Sequence, residues 1–201
     1  MKLFGALTSP YTRKTRLVLL EKSIPHEFII APPREADSPV PGLNPLARIP
    51  VLALDNGNCI FDSVVITEYA DTLNDTPILI PRNDAEARMR VRRWEALADG
   101  LADAAVAVRY ELVRPPEKQD ADTIARNNHT LTRALAHVAA QLGNREWCEG
   151  NALSLADLAL TSALVYIDLR QTDRDWRGAH PNLATWFARM NEKKSVQATL
   201  K

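Results

Sequence analysis

The sequence has no excess of charge, no long apolar run and few cysteines. Lysine plus arginine and aspartate plus glutamate each number 25 in 201 residues, so the net charge is near zero. Nucleic-acid binders and membrane-surface proteins carry a basic excess, so neither class is expected. No apolar run approaches the roughly 18 residues of a membrane span. Because Leu3–Leu7 is too short for the core of a signal peptide, we expect a globular cytoplasmic protein.

Metal and hydrolase signatures are also missing. Cys59 and Cys148 lie far apart, which favours free thiols in a reducing cytosol over a single long-range disulfide. The four histidines show no HExxH or similar spacing, so we expect no metal site. No GxSxG motif is present, which argues against a serine hydrolase.

The first 75 residues alternate short apolar runs with two helical stretches. Strands are predicted at Lys2–Leu7, His26–Ile30, 50–54 and 59–61, and helices are predicted to begin at Pro10 and Ser63. Asn56-Gly57 supplies the positive φ of a tight hairpin, so the last two strands should be antiparallel. The order β-α-β, loop, β-β-α predicts a thioredoxin-like α/β domain over residues 1–76.

The remainder of the chain contains no strand pattern. Pro77 and Pro81 indicate a linker over residues 77–83. Residues 84–201 carry four segments with apolar side chains at helical spacing. Ser154-Leu155-Ala156-Asp157 is typical of a capping box at the start of the third of them. We therefore predict an all-α C-terminal domain over residues 84–201.

The first candidate for chemistry is Ser9, between the first strand and the first helix. The unpaired N–H groups and partial positive charge of a helix N-terminus stabilise an anion such as a thiolate. Lowering the pKa of a bound thiol by about two units requires about 2.7 kcal/mol. One charge-assisted hydrogen bond of about 1.5–3 kcal/mol from the Ser9 hydroxyl, together with the helix dipole, suffices. The alternative is that Ser9 only caps the helix.

Two further segments suggest binding of a peptide-like ligand. Pro50 begins the third strand, and a cis Ile49–Pro50 bond would present the backbone of Ile49 to an extended chain. The alternative is an ordinary trans proline. At the next helix start, Ser63 and the neighbouring N–H groups would bind a carboxylate, and Asp62 an ammonium group. The alternative there is a simple helix cap.

In this order the motifs resemble the cytosolic glutathione S-transferase family, as a bacterial serine-type member, over nearly the whole chain. Ser9-Pro10-Tyr11-Thr12 is similar to the family's catalytic turn, with serine and threonine replacing both cysteines of a glutaredoxin-type Cys-Pro-Tyr-Cys. The other matching segments are 44–52 around the cis-proline, 62–66, the capping box at 154–157, and His180-Pro181-Asn182-Leu183 followed by Trp186.

The resemblance implies a glutathione transferase that activates the glutathione thiolate for attack on a small electrophile. It implies that Ser9 donates its hydroxyl to the thiolate. Ile49, next to a cis Pro50, would pair through its backbone with the cysteinyl part of glutathione. Asp62 and Ser63 would hold the γ-glutamyl ammonium and carboxylate groups.

The resemblance suggests four more site residues, the first two of them from their position only. Glu35 and Arg48 are candidates for binding glutathione, Arg48 by reaching toward the glycyl carboxylate. Arg109 and Tyr110, on the long helix, are expected near the electrophile. The identity of that electrophile is open. The resemblance also implies a role in detoxification.

The sequence departs from the family pattern at three places. Ala47 stands where the family often has glycine, so the local turn must avoid a positive φ or be slightly strained. Asp62 replaces a longer glutamate or glutamine. Without cysteine at Ser9 or Thr12, dithiol exchange is excluded at that turn. Isomerisation, dehalogenation and peroxide reduction remain alternative chemistries, and a non-catalytic adaptor of the same fold is the alternative from another class.

Four arginines crowd the predicted start of the long helix, at positions 88, 90, 92 and 93. They form either a solvated face or part of a homodimer contact. In the second case they would face acids such as Glu68 or Asp71 of a partner subunit across a two-fold axis.

Overall fold

The computed structural model describes residues 1–200, which divide into two compact units. The first unit is Met1–Arg82 together with the segment from Lys193 onward, and the second is Asn83–Glu192. Over the described residues, no helix is both long and apolar enough to cross a bilayer. Within the same range, no group of three or more histidine, cysteine or acidic side chains is placed to hold a metal ion.

The first unit is built on a four-stranded mixed sheet. Its strands are β1 Lys2–Gly5, β2 Glu27–Ile30, β3 Val51–Ala53 and β4 Cys59–Phe61. The strand order is β2-β1-β3-β4, with β1 and β2 parallel and the other neighbouring pairs antiparallel. The helices of this unit are α1 Pro10–Glu21, α2 Val40–Leu43, α3 Ser63–Thr72 and, late in the chain, α9 Lys194–Ala198. The predicted thioredoxin-like arrangement and the β3–β4 hairpin are confirmed.

The predicted linker differs from the structure because its apolar residues fold into the first unit. Leu79 and Ile80 are each only 1% exposed. Their backbone N–H groups donate to the two carboxylate oxygens of Asp71, at 2.9 and 3.3 Å respectively. Residues 77–82 are therefore part of the first unit.

Asp71 also accepts from Lys22, and this pair corrects one sequence prediction. The two side chains are buried, and Lys22 Nζ lies 3.1 Å from Asp71 Oδ1. Lys22 also donates to the carbonyl oxygens of Asn74 and Pro77, at 3.1 and 2.7 Å. A buried charge requires such partners. Asp71 consequently does not face a partner subunit, and that prediction is wrong.

The second unit is helical. Its helices are α4 Ala85–Leu112, α5 Ala121–Leu142, α6 Leu155–Arg170, α7 Trp176–Ala179 and α8 Pro181–Asn191, with a short 3₁₀ turn at Pro116–Lys118. The four long helices and the all-α class are as predicted. The short helices α7 and α9 were not predicted, because four or five residues are too few to establish a helical period.

Helix α6 is the most buried of these helices, and its start is the predicted capping box. The Asp157 carboxylate accepts from the Ser154 N–H and hydroxyl, both at 2.9 Å, and from the Cys148 N–H at 2.7 Å. Burial nevertheless raises the pKa of Asp157, more than these hydrogen bonds lower it. The three donors replace the water that the buried carboxylate has lost.

Candidate functional site

The candidate segments meet at one edge of the sheet in the first unit. Phe4 of β1 pairs with Val51 of β3, which pairs with Phe61 of β4. Because β3 is antiparallel to both neighbours, β1 and β4 end where β3 begins. The turn with Ser9, the Ile49-Pro50 segment and Asp62-Ser63 therefore lie along the same edge. Two helix N-termini, those of α1 and α3, begin there and favour negative charge.

Ser9 caps α1 and keeps a hydrogen available. It is half-buried, and its Oγ accepts from the Thr12 N–H at 3.2 Å. Across residues 1–200 the Ser9 hydroxyl donates to no other group. A hydroxyl carries one donor in addition to its acceptor positions. The capping role is thus present, and it leaves the hydroxyl hydrogen available to a ligand.

Two contacts fix the turn that carries Ser9. A Cβ built at Gly5 would lie 2.4 Å from Thr12 Cγ2, so only glycine allows α1 to approach the end of β1 this closely. Arg13, 5% exposed, donates to the carbonyl oxygens of Leu7 and Thr199 at 3.0 and 3.1 Å. Burial, reinforced by neighbouring Arg16, lowers the pKa of Arg13 to about 10.

The loop before β3 is organised by Asn44, a residue whose role the sequence did not reveal. Asn44 is 2% exposed; its Nδ2 donates to the Arg48 carbonyl at 2.8 Å and its Oδ1 accepts from the Leu46 N–H at 3.0 Å. The Ile49–Pro50 bond is cis, as predicted. In the described chain, neither backbone group of Ile49 hydrogen-bonds to another backbone group. Ala47 adopts a φ of +48°, so the strained alternative for this turn is the one observed.

Asp62 and Ser63 form the start of α3. Asp62 is exposed, and its carboxylate accepts from the Val64 N–H at 2.8 Å, whereas Ser63 is only 5% exposed. The backbone of Asp62 has φ +66° and ψ 130°, a combination that side chains with a Cβ rarely adopt. Such outliers concentrate at ligand-binding sites, where neighbouring structure holds them.

The remaining predicted residues fall into two groups. Arg48 lies at the same sheet edge. The loop that carries Glu35 also starts at this edge, because β2 ends beside the end of β1. The side chains of Arg48 and Glu35 are exposed. Arg109 and Tyr110 belong to α4 of the second unit. Both act electrostatically on Tyr166 of α6, whose pKa is raised mainly by burial. The structure thus brings six of the nine candidates to one edge, and the loop that carries Glu35 begins there.

Comparison with known proteins identifies the family. Residues 8–73 match the glutathione S-transferase N-terminal domain, and residues 101–194 match the glutathione S-transferase C-terminal domain. The chain is 36% identical over 199 residues to an uncharacterised GST-like protein, YibF, of Escherichia coli strain K12. That alignment covers 99% of this chain and 98% of the relative. The chain therefore belongs to the glutathione S-transferase family.

Two solved structures resemble the whole chain. A glutathione S-transferase from Methylobacillus flagellatus with glutathione bound is 41% identical, with a TM-score of 0.95 and 98% coverage of both chains. A second, from Methylobacterium radiotolerans in complex with glutathione sulfonate, is 34% identical, with a TM-score of 0.94. It covers 99% of this chain and 93% of that one. These likenesses confirm the order of a thioredoxin-like domain followed by a helical domain.

Proposed function

We propose that the protein is a serine-type glutathione transferase, which binds glutathione at the sheet edge of the first unit and activates its thiolate. The observation that carries the proposal is Ser9: its hydroxyl caps α1 as an acceptor and has its hydrogen free. A thiolate placed beyond it would accept that hydrogen and face the positive end of α1. No metal takes part in this mechanism.

The rest of the tripeptide would be held by groups along the same edge. Ile49, with Pro50 cis after it, would pair its free backbone groups with the cysteinyl part of glutathione. Ser63 and the N-terminus of α3 would bind the γ-glutamyl carboxylate, and the exposed Asp62 would bind the ammonium group. Support comes from two similar structures, which contain glutathione and glutathione sulfonate respectively.

The outer contacts follow from exposure and charge. Arg48 is an exposed cation beside the Ile49 segment and would pair with the glycyl carboxylate of glutathione. Glu35, on the loop after β2, would also bind glutathione. Arg109 and Tyr110, half-buried and exposed respectively on α4, would contact the electrophile. The guanidinium and phenol groups suit an electrophile that gains negative charge as the sulfur attacks.

We also propose that the enzyme acts as a cytoplasmic homodimer in detoxification. Val65 of α3 and Leu73, directly after this helix, are 52% and 41% exposed and provide apolar surface for a partner. Of the four crowded arginines, Arg90 and Arg92 pair within the chain, with Glu149 and Glu95. They contribute to the fold of the second unit rather than to the contact. Sedimentation equilibrium would measure the assembly, and a monomer at micromolar concentration would contradict this part of the proposal.

The decisive experiment compares Ser9→Ala with Ser9→Thr. We expect Ser9→Ala to lower kcat/KM at pH 7 by roughly tenfold to a hundredfold, because one charge-assisted hydrogen bond to the thiolate is lost. The pH profile of its kcat/KM should lose the low apparent pKa that belongs to the bound glutathione thiol. Ser9→Thr keeps a hydroxyl and a helix cap and should retain most of the activity. Full activity of Ser9→Ala at neutral pH would exclude Ser9 as the thiolate donor.

A glutathione column separates the enzyme from the non-catalytic adaptor. The proposal expects retention of both the wild type and Ser9→Ala, because Ser9 contacts only the sulfur. It also expects turnover by the wild type on at least one of a panel of aryl halides, epoxides and peroxides. Failure of the folded wild type to bind would favour the adaptor, whereas retention without turnover would leave a binding module.

A further inference from the structure

A cavity lies wholly within the helical unit, where α4 and α6 end and α5 begins. It is an open cleft of about 440 Å³, in the size range of small-molecule sites. Its lining residues come only from α4, α5, α6 and the segment after α6. The sheet-edge residues assigned to glutathione contribute nothing to its walls.

The polar side of the cleft has buried N–H groups that lack acceptors. These are Arg170 Nε, Gln171 Nε2 and Arg174 Nε, none of which has a hydrogen-bond partner within the part of the chain described. Buried donors in folded proteins are almost always paired, so three unpaired donors around one cavity need an explanation. Acceptor oxygens of a ligand would satisfy donors of this kind.

Arg174 is held in place for such a ligand. Its Nη1 donates to Thr132 Oγ1 at 2.9 Å, and its Nη2 donates to Asn128 Oδ1 at 2.8 Å. Both partners are neutral side chains of α5. The guanidinium is therefore fixed by its two Nη groups, and its Nε has no partner in the described part of the chain. A positioned donor loses less conformational entropy when it binds.

The cleft also carries positive charge without a matching acid. Neither Arg170 nor Arg174 forms an ion pair within residues 1–200, and the one acidic lining residue, Asp173, is exposed. Burial alone lowers the pKa of Arg174, with no acid raising it. Nearby Arg177, by contrast, pairs with both oxygens of Asp168. A partly buried cation without a counterion favours an anionic ligand.

The opposite wall is apolar and is formed by Val108, Leu112 and Ile124. Leu112 is 48% exposed, so apolar surface remains open to a ligand. We propose that this cleft binds a small carboxylate with an apolar body, its carboxylate on Arg170 and Arg174 and its body on this wall. A carboxylate accepts several hydrogen bonds at once, so one ligand can bond to N–H groups of both arginines. The proposal is independent of glutathione binding.

The test uses 1-naphthoate and its neutral isostere 1-naphthamide, titrated into the methyl-labelled full chain with and without saturating glutathione. We expect 1-naphthoate to shift the methyl resonances of Val108, Leu112 and Ile124 in both conditions, and to bind at least tenfold more tightly than the amide. Affinity should fall as salt is added, because the contact is charged. Shifts confined to other methyl groups, or equal affinity of acid and amide, would overturn the proposal.

Substitutions of Arg170 and Arg174 test whether these side chains bind the carboxylate. Arg170→Gln leaves the bonds of Arg174 to α5 intact and should weaken 1-naphthoate binding roughly tenfold or more, as expected for one charge-assisted hydrogen bond. Arg174→Gln should do the same, with its fold checked by circular dichroism. The control is Arg133→Gln, which removes an exposed charge from α5 outside the cleft and should leave binding unchanged. Wild-type affinity in a folded Arg170→Gln variant, or equal weakening in Arg133→Gln, would refute the site.

Discussion

Replacing Lys22 with methionine removes a positive charge from the interior of the first unit while nearly preserving side-chain volume. The Lys22 ammonium donates to Asp71, Asn74 and Pro77, and its side chain is fully buried. The change leaves the Asp71 carboxylate without its counterion at a position that is 2% exposed. Breaking a buried pair in this way costs about 3–5 kcal/mol of unfolding free energy.

We expect a loss near the lower end, about 3 kcal/mol, because Asp71 keeps the N–H groups of Leu79 and Ile80 as partners. Urea unfolding followed by far-UV circular dichroism measures it, since this signal reports helices of both units. Tryptophan fluorescence would report only the second unit, which contains all four tryptophans, at positions 94, 147, 176 and 186.

The matched control is Asp75→Asn, which breaks a pair in the same region at the surface. Arg82 Nη1 lies 2.6 Å from Asp75 Oδ1, but Asp75 is 89% exposed, so the expected loss is under about 1 kcal/mol. The double variant with Lys22→Met and Asp71→Leu should lose less unfolding free energy than the two single variants lose in sum. Equal losses in Lys22→Met and Asp75→Asn would refute the reasoning that burial sets the strength of the first pair.

Two further predictions concern backbone strain and thiol reactivity. Ala47→Gly should raise the unfolding free energy by about 0.5–1 kcal/mol, because it relieves a left-handed φ of +48°. Gly57→Ala places a Cβ at a φ of +88° and should lower the unfolding free energy by about 1 kcal/mol. A destabilised Ala47→Gly variant would contradict the strain argument. Burial first, and then the Asp157 carboxylate, raises the pKa of Cys148 well above its ordinary value. At pH 8, a thiol reagent should therefore label half-buried Cys59 in the native protein and Cys148 only after unfolding; equal labelling rates would contradict this.

Sequence alone predicted the first unit well, because its signals are local. Pro10 after Ser9, and Asn56-Gly57 between two apolar runs, determine helix and hairpin positions through backbone preferences that neighbours hardly alter. The predicted sheet also brings the three candidate segments to one edge, since strand direction follows from the order of elements. The cis bond at Ile49 was predicted as a possibility and is present in the structure.

The parts that sequence did not reveal depend on contacts between distant residues. Asn44 organises its loop through side-chain bonds to backbone groups, and any polar residue in a proline-rich stretch could have had that role. Asp71 was predicted to lie at the surface, because the helical pattern of its segment does not show that Lys22 packs beside it. The segment from Lys193 onward joins the first unit through a carbonyl oxygen that accepts from Arg13 and through Lys193, which pairs with Glu21. Contacts between residues so far apart in the chain leave no pattern in the sequence.

That last segment has a consequence for the order in which the molecule is completed. Arg13 links the Leu7 carbonyl, two residues before Ser9, to the Thr199 carbonyl, and Arg16 binds the Ala198 carbonyl at 3.0 Å. During synthesis the turn around Ser9 emerges first. Thr199, whose carbonyl oxygen helps to hold Arg13 beside this turn, is translated 186 codons after Arg13. The turn that carries Ser9 therefore reaches its final structure only after the helical unit has been translated.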